Sequence, residues 1–227
     1  MSERLAIFPL GTVLFPGVPL PLHVFEERYR LLVRRLLGSP GPRRFGVVSI
    51  VLGHEVGAGA ARELASVGCV AEVREVEELP DGRFRVFAVG GERFRVGEVD
   101  ASGPYLEAGA HFLPEEAGPG ADELARRVTP AFRRYFSGLA RVRGEPAVTP
   151  PVQLSDEDLP ADPIALSYLV GAGLLVGRAV KQRLLAAGTA AERLAAELEL
   201  LGAETRLLTS LPSVPVADFL DKGVNPN

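Results

Sequence analysis

The sequence predicts an α+β protein, with a β-rich part over residues 1–118, a helical part over 119–210 and a C-terminal tail over 211–227. Three observations carry this. Up to residue 118, runs of Val, Phe and Leu alternate with polar residues between Gly and Pro breaks, the period-two signature of strands. After Pro119 the apolar period becomes 3.6. With 227 residues, 47% hydrophobic and 24% charged, the chain is long and apolar enough to bury a sizeable core.

Leu5 to Leu22 carries no charge and approaches the length of a membrane span. Pro9, Pro16, Pro19 and Pro21 each remove a backbone donor, so a spanning helix is excluded and edge strands are expected instead. Ser2-Glu3-Arg4 offers no positive leader to a signal peptide. A helix follows, with Phe25, Tyr29, Leu32, Val33, Leu36 and Leu37 at helical spacing and Gly38 and Pro40 ending it.

Strands are expected at Phe45 to Leu52, Val67 to Val76, Arg83 to Val89, Glu92 to Val99 and Tyr105 to Phe112. Pro80-Asp81-Gly82 and Gly90-Gly91 read as two hairpin turns, because glycine accepts the positive φ that such turns need.

Leu124, Val128, Phe132, Phe136 and Leu139 then line one helical face, which Thr129-Pro130 should kink or split. Residues 144–161 are proline-rich, contain Asp156-Glu157-Asp158 and read as a linker. Asp162-Pro163 is an N-cap and first-turn proline, opening one helix toward Ala187. Gly188 closes that helix. Thr189-Ala190-Ala191-Glu192 is a capping box, and Leu194, Leu198 and Leu201 form the stripe of a last helix that Pro212 stops.

Charge and motifs narrow the function classes. The net charge is −4, and residues 1–118 carry 13 arginines against 16 carboxylates, so neither part is a basic nucleic-acid surface. Arg126 to Arg143 reads as a solvated helix face. Cys69, the single cysteine, excludes an internal disulfide and a Cys-rich zinc site, and sits mid-strand where thiols are buried and inert. It suggests a cytoplasmic protein.

Gly171-Ala172-Gly173-Leu174-Leu175-Val176-Gly177 is one residue out of register for a dinucleotide fingerprint and follows no strand, so its small residues point to a close helix contact. No phosphate-loop motif occurs. His54-Glu55 begins like a zinc-protease helix, but Ala58 stands where a second imidazole is needed, and the pair reads as a solvated loop. His23 stands where an extended segment enters a helix and reads as a packed or capping residue. Glu26 and Arg28 read as neutralising one another or capping backbone. No catalytic residue, metal or cofactor is expected.

A series of motifs does carry a resemblance. Phe8-Pro9-Leu10-Gly11-Thr12-Val13-Leu14-Phe15-Pro16-Gly17, then Leu20-Pro21-Leu22-His23-Val24-Phe25-Glu26-Glu27-Arg28-Tyr29, resembles the opening of the Lon protease N-terminal substrate-binding domain. Phe45-Gly46-Val47-Val48, Val67 to Val73, Leu79 to Arg83 and Arg93 to Val96 follow in order, and Lys181 to Leu185 with Arg193-Leu194 resemble its helical half. The resemblance covers roughly residues 4–209 and implies a PUA-like, twisted β-barrel-like subdomain followed by a C-terminal helical bundle.

It also implies contact with unfolded or extended polypeptide, in company with a protease or chaperone; the acidic charge of both parts and the prolines of the opening segment argue against nucleic-acid and membrane partners. The ATPase and Ser-Lys protease parts of Lon find no counterpart in the sequence, nor does the zinc module of cereblon, which shares the domain. The expectation is therefore a stand-alone, non-catalytic polypeptide-binding or adaptor module of protein quality control. Its peptide would lie along a β edge or in a groove beside Phe15, Leu22, His23, Phe25 and Tyr29, residues for which burial in the core is the competing reading. The alternatives are a PUA-like RNA-binding protein and an unrecognised enzyme built on His23, Glu26 and Arg28.

Overall fold

The computed structural model describes residues 3–55, 61–142 and 159–210. The expected linker acids Asp156, Glu157 and Asp158, and the tail from residue 211, lie outside them. The elements run β1 (Glu3–Leu10), β2 (Pro19–Val24), α1 (Glu27–Gly38), β3 (Arg44–Gly53), β4 (Ala61–Leu64), β5 (Val67–Glu78), β6 (Phe84–Asp100), β7 (Leu106–Phe112), α2 (Ala121–Val142), α3 (Pro163–Gly173), α4 (Arg178–Ala186) and α5 (Ala190–Ser210).

β1 pairs antiparallel with β7 and parallel with β3, while β3–β5, β5–β6 and β6–β7 pair antiparallel, so these five strands close a ring. The ring is not a clean barrel, because β2 pairs only with the outer part of β6 and β4 only with the end of β3. The opening segment thus supplies one edge strand, β2, and one strand with neighbours on both sides, β1. Burial explains the difference: Leu5 and Ile7 face a core of Val48, Val70 and Phe94.

On the other side of the sheet, Phe8, Phe45 and Phe84 pack with Tyr29, Leu32 and Val33 of α1. The rings of Phe8 and Tyr29 stack with centroids 3.9 Å apart.

The turn at Pro80-Asp81-Gly82 forms as expected, with Gly82 at φ +76° and the Leu79 amide donating to the Arg83 carbonyl at 2.8 Å. Gly90-Gly91 is not a turn. β6 runs through it as one strand, and the pairing with β5 shifts register between Cys69 and Ala71, a bulge. Glycine is required at 90 for close approach: a Cβ there would lie 2.0 Å from the Phe15 carbonyl oxygen.

The helices form a second core around Val128, Phe132, Tyr135, Leu166, Leu184, Leu194 and Leu201, joined by Phe15 and Val67 from the strand side. α2 passes through Pro130 without splitting. Its buried line is Ala121, Ala125, Val128, Phe132 and Tyr135, while Leu124, Phe136 and Leu139 flank it. The single helix expected from Asp162 to Ala187 is two, because the chain leaves helical geometry at Leu174 and restarts after Gly177. Lys181 of α4 donates to the Ala172 carbonyl at 2.8 Å, tying the two pieces together.

Gly173 does mark a close helix contact, since a Cβ there would lie 2.8 Å from the Phe132 ring. Both expected caps form. Asp162 accepts from the Ala165 amide at 3.0 Å, and Thr189 and Glu192 exchange side-chain to backbone hydrogen bonds of 3.2 and 3.3 Å. Among the described residues no helix is long and apolar enough to cross a membrane.

Candidate functional site

A largely apolar concavity opens where the sheet meets the helices. Phe15 is the anchor. Its ring is buried with the helical core, 6.4 Å from that of Tyr168, and fixes the following Pro16-Gly17-Val18 against β6. Gly17 takes φ +75°, its amide donates to the Gly90 carbonyl at 2.8 Å, and the Gly90 amide donates to the Val18 carbonyl at 2.9 Å. The first turns of α3 form the opposite wall.

Between them lies a groove of about 440 Å³ floored by Pro16, Val18, Ile164, Tyr168 and Leu169, with Ala165 on its wall and Glu72, Glu92, Glu115 and Asp162 at its rim. Apolar lining with a few placed polar groups is the ordinary constitution of a binding site.

Beneath it a polar network locks sheet to helices. The buried Arg93 of β6 pairs with Glu115 at 2.8 Å and donates to the carbonyls of Leu185 and Ala187 at 2.8 and 2.6 Å. The Tyr168 hydroxyl donates to the Glu115 carboxylate. Burial raises the Tyr168 phenol above its ordinary value, which keeps it a donor. Arg193 of α5 lies 3.9 Å over the Tyr168 ring and donates to the Leu184 carbonyl, the Ser167 hydroxyl and the Tyr168 oxygen at 2.9, 2.6 and 3.1 Å.

One turn beyond Arg193, the Glu197 carboxyl is fully buried and neither oxygen has a hydrogen-bond partner among the described residues. Desolvation holds its pKa well above the usual carboxylate value, the nearby Arg193 opposing in part. Below pH 4.5 folded and unfolded chains both carry this proton. As pH rises past that value the unfolded chain releases it while the folded chain retains it, so stability falls. Glu197→Gln removes this loss: relative to the native chain, the variant should gain up to about 1.4 kcal/mol per pH unit above the unfolded-state pKa. Urea unfolding across a pH series checks it, and a native-to-variant difference that stays constant with pH contradicts it.

Residues 4–203 match the family model of the ATP-dependent protease La (LON) substrate-binding domain. The chain belongs to this family. Among curated relatives of this LON domain, Lon protease 2 of Syntrophobacter fumaroxidans is 27% identical over 82% of the chain and 22% of the relative. Lon protease of Koribacter versatilis is 33% identical over 60% of the chain and 17% of the relative. The chain therefore spans about a fifth of the length of these relatives.

The solved N-terminal domain of Mycobacterium avium complex Lon protease superposes with a TM-score of 0.61 at 17% identity, covering 88% of this chain and 98% of that one. A Lon N-terminal domain protein from Xanthomonas campestris gives 0.56 at 22% identity, covering 92% and 99%. Both show the LON-domain fold.

Within this LON domain the five sequence-picked residues do not form one surface. Phe15 and Tyr29 are core, in different clusters. Leu22, His23, Phe25 and Tyr29 line a smaller cavity of about 220 Å³, apart from Phe15. Phe25 precedes the α1 N-cap residue Glu26 and is 50% exposed, so it does not share the helical face of Tyr29.

His23 is neither packed nor capping; it is exposed on β2 with Nε2 3.1 Å from an Arg83 nitrogen. Glu26 and Arg28 pair at 3.0 Å, as their spacing suggests, and Arg28 lies 4.5 Å over the Tyr29 ring. His23, held by Arg83, therefore stands apart from the Glu26–Arg28 pair. Glu55 is not merely solvated, since its carboxylate accepts the Gly11 amide. Cys69 is buried and burial pushes its thiol pKa up, the setting of an inert cysteine.

The free edge of β2 is a poor strand template. Its alternate residues Pro19 and Pro21 have no amide to donate, and the ladder with β6 leaves prolines to the outer side.

Sequence reasoning missed Arg93, Glu115, Tyr168 and Glu197. One signal was available: Glu197 sits three residues past Leu194 and four before Leu201 on the apolar stripe of α5, where a carboxylate is out of place.

Proposed function

We propose that this chain is a non-catalytic polypeptide-recognition module, and that it receives apolar side chains of an extended or unfolded segment in the groove between β6 and α3. The observation that carries the reading is the groove itself: a space of about 440 Å³ over an apolar floor, large enough for about two or three side chains, built jointly by the two parts of the fold. Membership of a substrate-binding domain family supports it. The module would act as an adaptor, presenting the captured segment to a protease or chaperone in the cytoplasm. Leu22, His23 and Phe25 form a lesser contact beside the smaller cavity. The carboxylate rim works against a phosphate backbone, which favours polypeptide over RNA as the ligand.

Ala165 is exposed on the groove wall, and Ala165→Trp fills the groove while leaving the core untouched. Binding of a fluorescein-labelled peptide rich in Leu and Phe, read by anisotropy, should weaken about tenfold or more. Unchanged binding would remove the groove from the mechanism.

A further inference from the structure

Resting on that reading, we infer that the groove selects apolar segments flanked by lysine or arginine. Its described lining carries four carboxylates and no Lys, Arg or His. Two of the four are answered from outside the groove. Glu72 pairs with the exposed Arg74 at 2.7 Å, and Glu115 with the buried Arg93 at 2.8 Å. The other two meet no cation among the described residues: Glu92 is exposed at the bulge of β6, and Asp162 is engaged only by the Ala165 amide at the start of α3.

Glu92 is on the sheet wall and Asp162 on the α3 wall, so uncompensated negative charge stands on both sides of the floor of Val18, Ile164 and Leu169. An apolar segment bearing acids would meet like charge on either wall. One bearing lysine or arginine lays its methylene stem along the apolar floor and brings its charged head to a rim carboxylate. Opposite walls of like sign thus select the segment by its flanks, and the floor selects its centre.

The test uses three peptides with one Leu- and Phe-rich centre and flanks of Lys, Gln or Glu, titrated by anisotropy against the native chain and the Glu92→Gln, Asp162→Asn double variant, in which asparagine keeps the acceptor that caps α3. Both substitutions are isosteric and on exposed side chains. The Lys-flanked peptide should bind about fivefold tighter than the Gln-flanked one and the Glu-flanked one about fivefold weaker, the spread shrinking in the double variant and at high salt. Equal binding of the three, a preference for Glu flanks, or a spread unchanged in the double variant overturns the charge selection, while sensitivity to Ala165→Trp shows the groove still in use. Failure of all three peptides to bind overturns the groove reading itself.

Discussion

Replacing Arg193 by methionine is expected to cost about 4 kcal/mol of folding stability, measured by urea unfolding. Three acceptors on two different helices lose their donor at once: the Leu184 carbonyl near the end of α4, and the Ser167 and Tyr168 side chains of α3. The Tyr168 ring loses the guanidinium stacked 3.9 Å away. Glu197, already buried without a hydrogen-bond partner, loses its nearest compensating cation. Methionine fills much of the volume, so the loss reports the polar network and not a cavity. A loss below about 1 kcal/mol would show that the network is replaceable by apolar packing, as some buried ionic clusters are.

Gly90→Ala is expected to cost about 3 kcal/mol, at the upper end for overpacking. Most glycine substitutions in strands relieve backbone entropy or cost little. Here the added Cβ meets backbone: the Phe15 carbonyl oxygen at 2.0 Å and carbonyl carbon at 2.8 Å. Neither is a flexible side-chain tip, so β6 and the 15–18 segment must separate. Separation breaks the paired hydrogen bonds of Gly90 with Gly17 and Val18 and loosens the Phe15 anchor. The variant that remains folded should also bind the Leu- and Phe-rich peptide more weakly. A stable variant with native binding would mean that the strand and the segment can slide apart without consequence.

Much of the fold was legible in the residues. Strand and helix periods, the Asp162 cap, the Thr189 capping box and the Pro80-Asp81-Gly82 turn are local signals read within a few residues of one another, and all four appear in the structure. What was not legible depends on distant partners. Gly90-Gly91 has the composition of a turn, yet it lies in a continuous, bulged strand whose glycine makes room for the Phe15 carbonyl, far away in sequence. The apolar run after Asp162 has no proline to mark its break at Leu174, yet the three glycines that loosen it were visible.

The candidate site was less legible still. Phe15 was picked as a contact and serves as the anchor beneath the groove. The groove walls come from segments around residues 16–18, 91–92 and 160–169, whose approach no periodicity encodes. Arg93 alternates on its strand like any arginine, and only the fold shows that it is buried against the C-terminal end of α4.

The central claim, that extended polypeptide enters the groove between β6 and α3, is tested most directly by site-specific photocrosslinking. A benzophenone side chain is placed at Ala165 on the groove wall and, in a second protein, at Phe87 on the exposed outer face of β6 beside Pro21 and His23. Each is irradiated with a permanently unfolded polypeptide. The groove account predicts adducts from position 165 that excess Leu- and Phe-rich peptide suppresses, and few from position 87. Adducts concentrated at 87, or equal at both positions and indifferent to competitor, would contradict it.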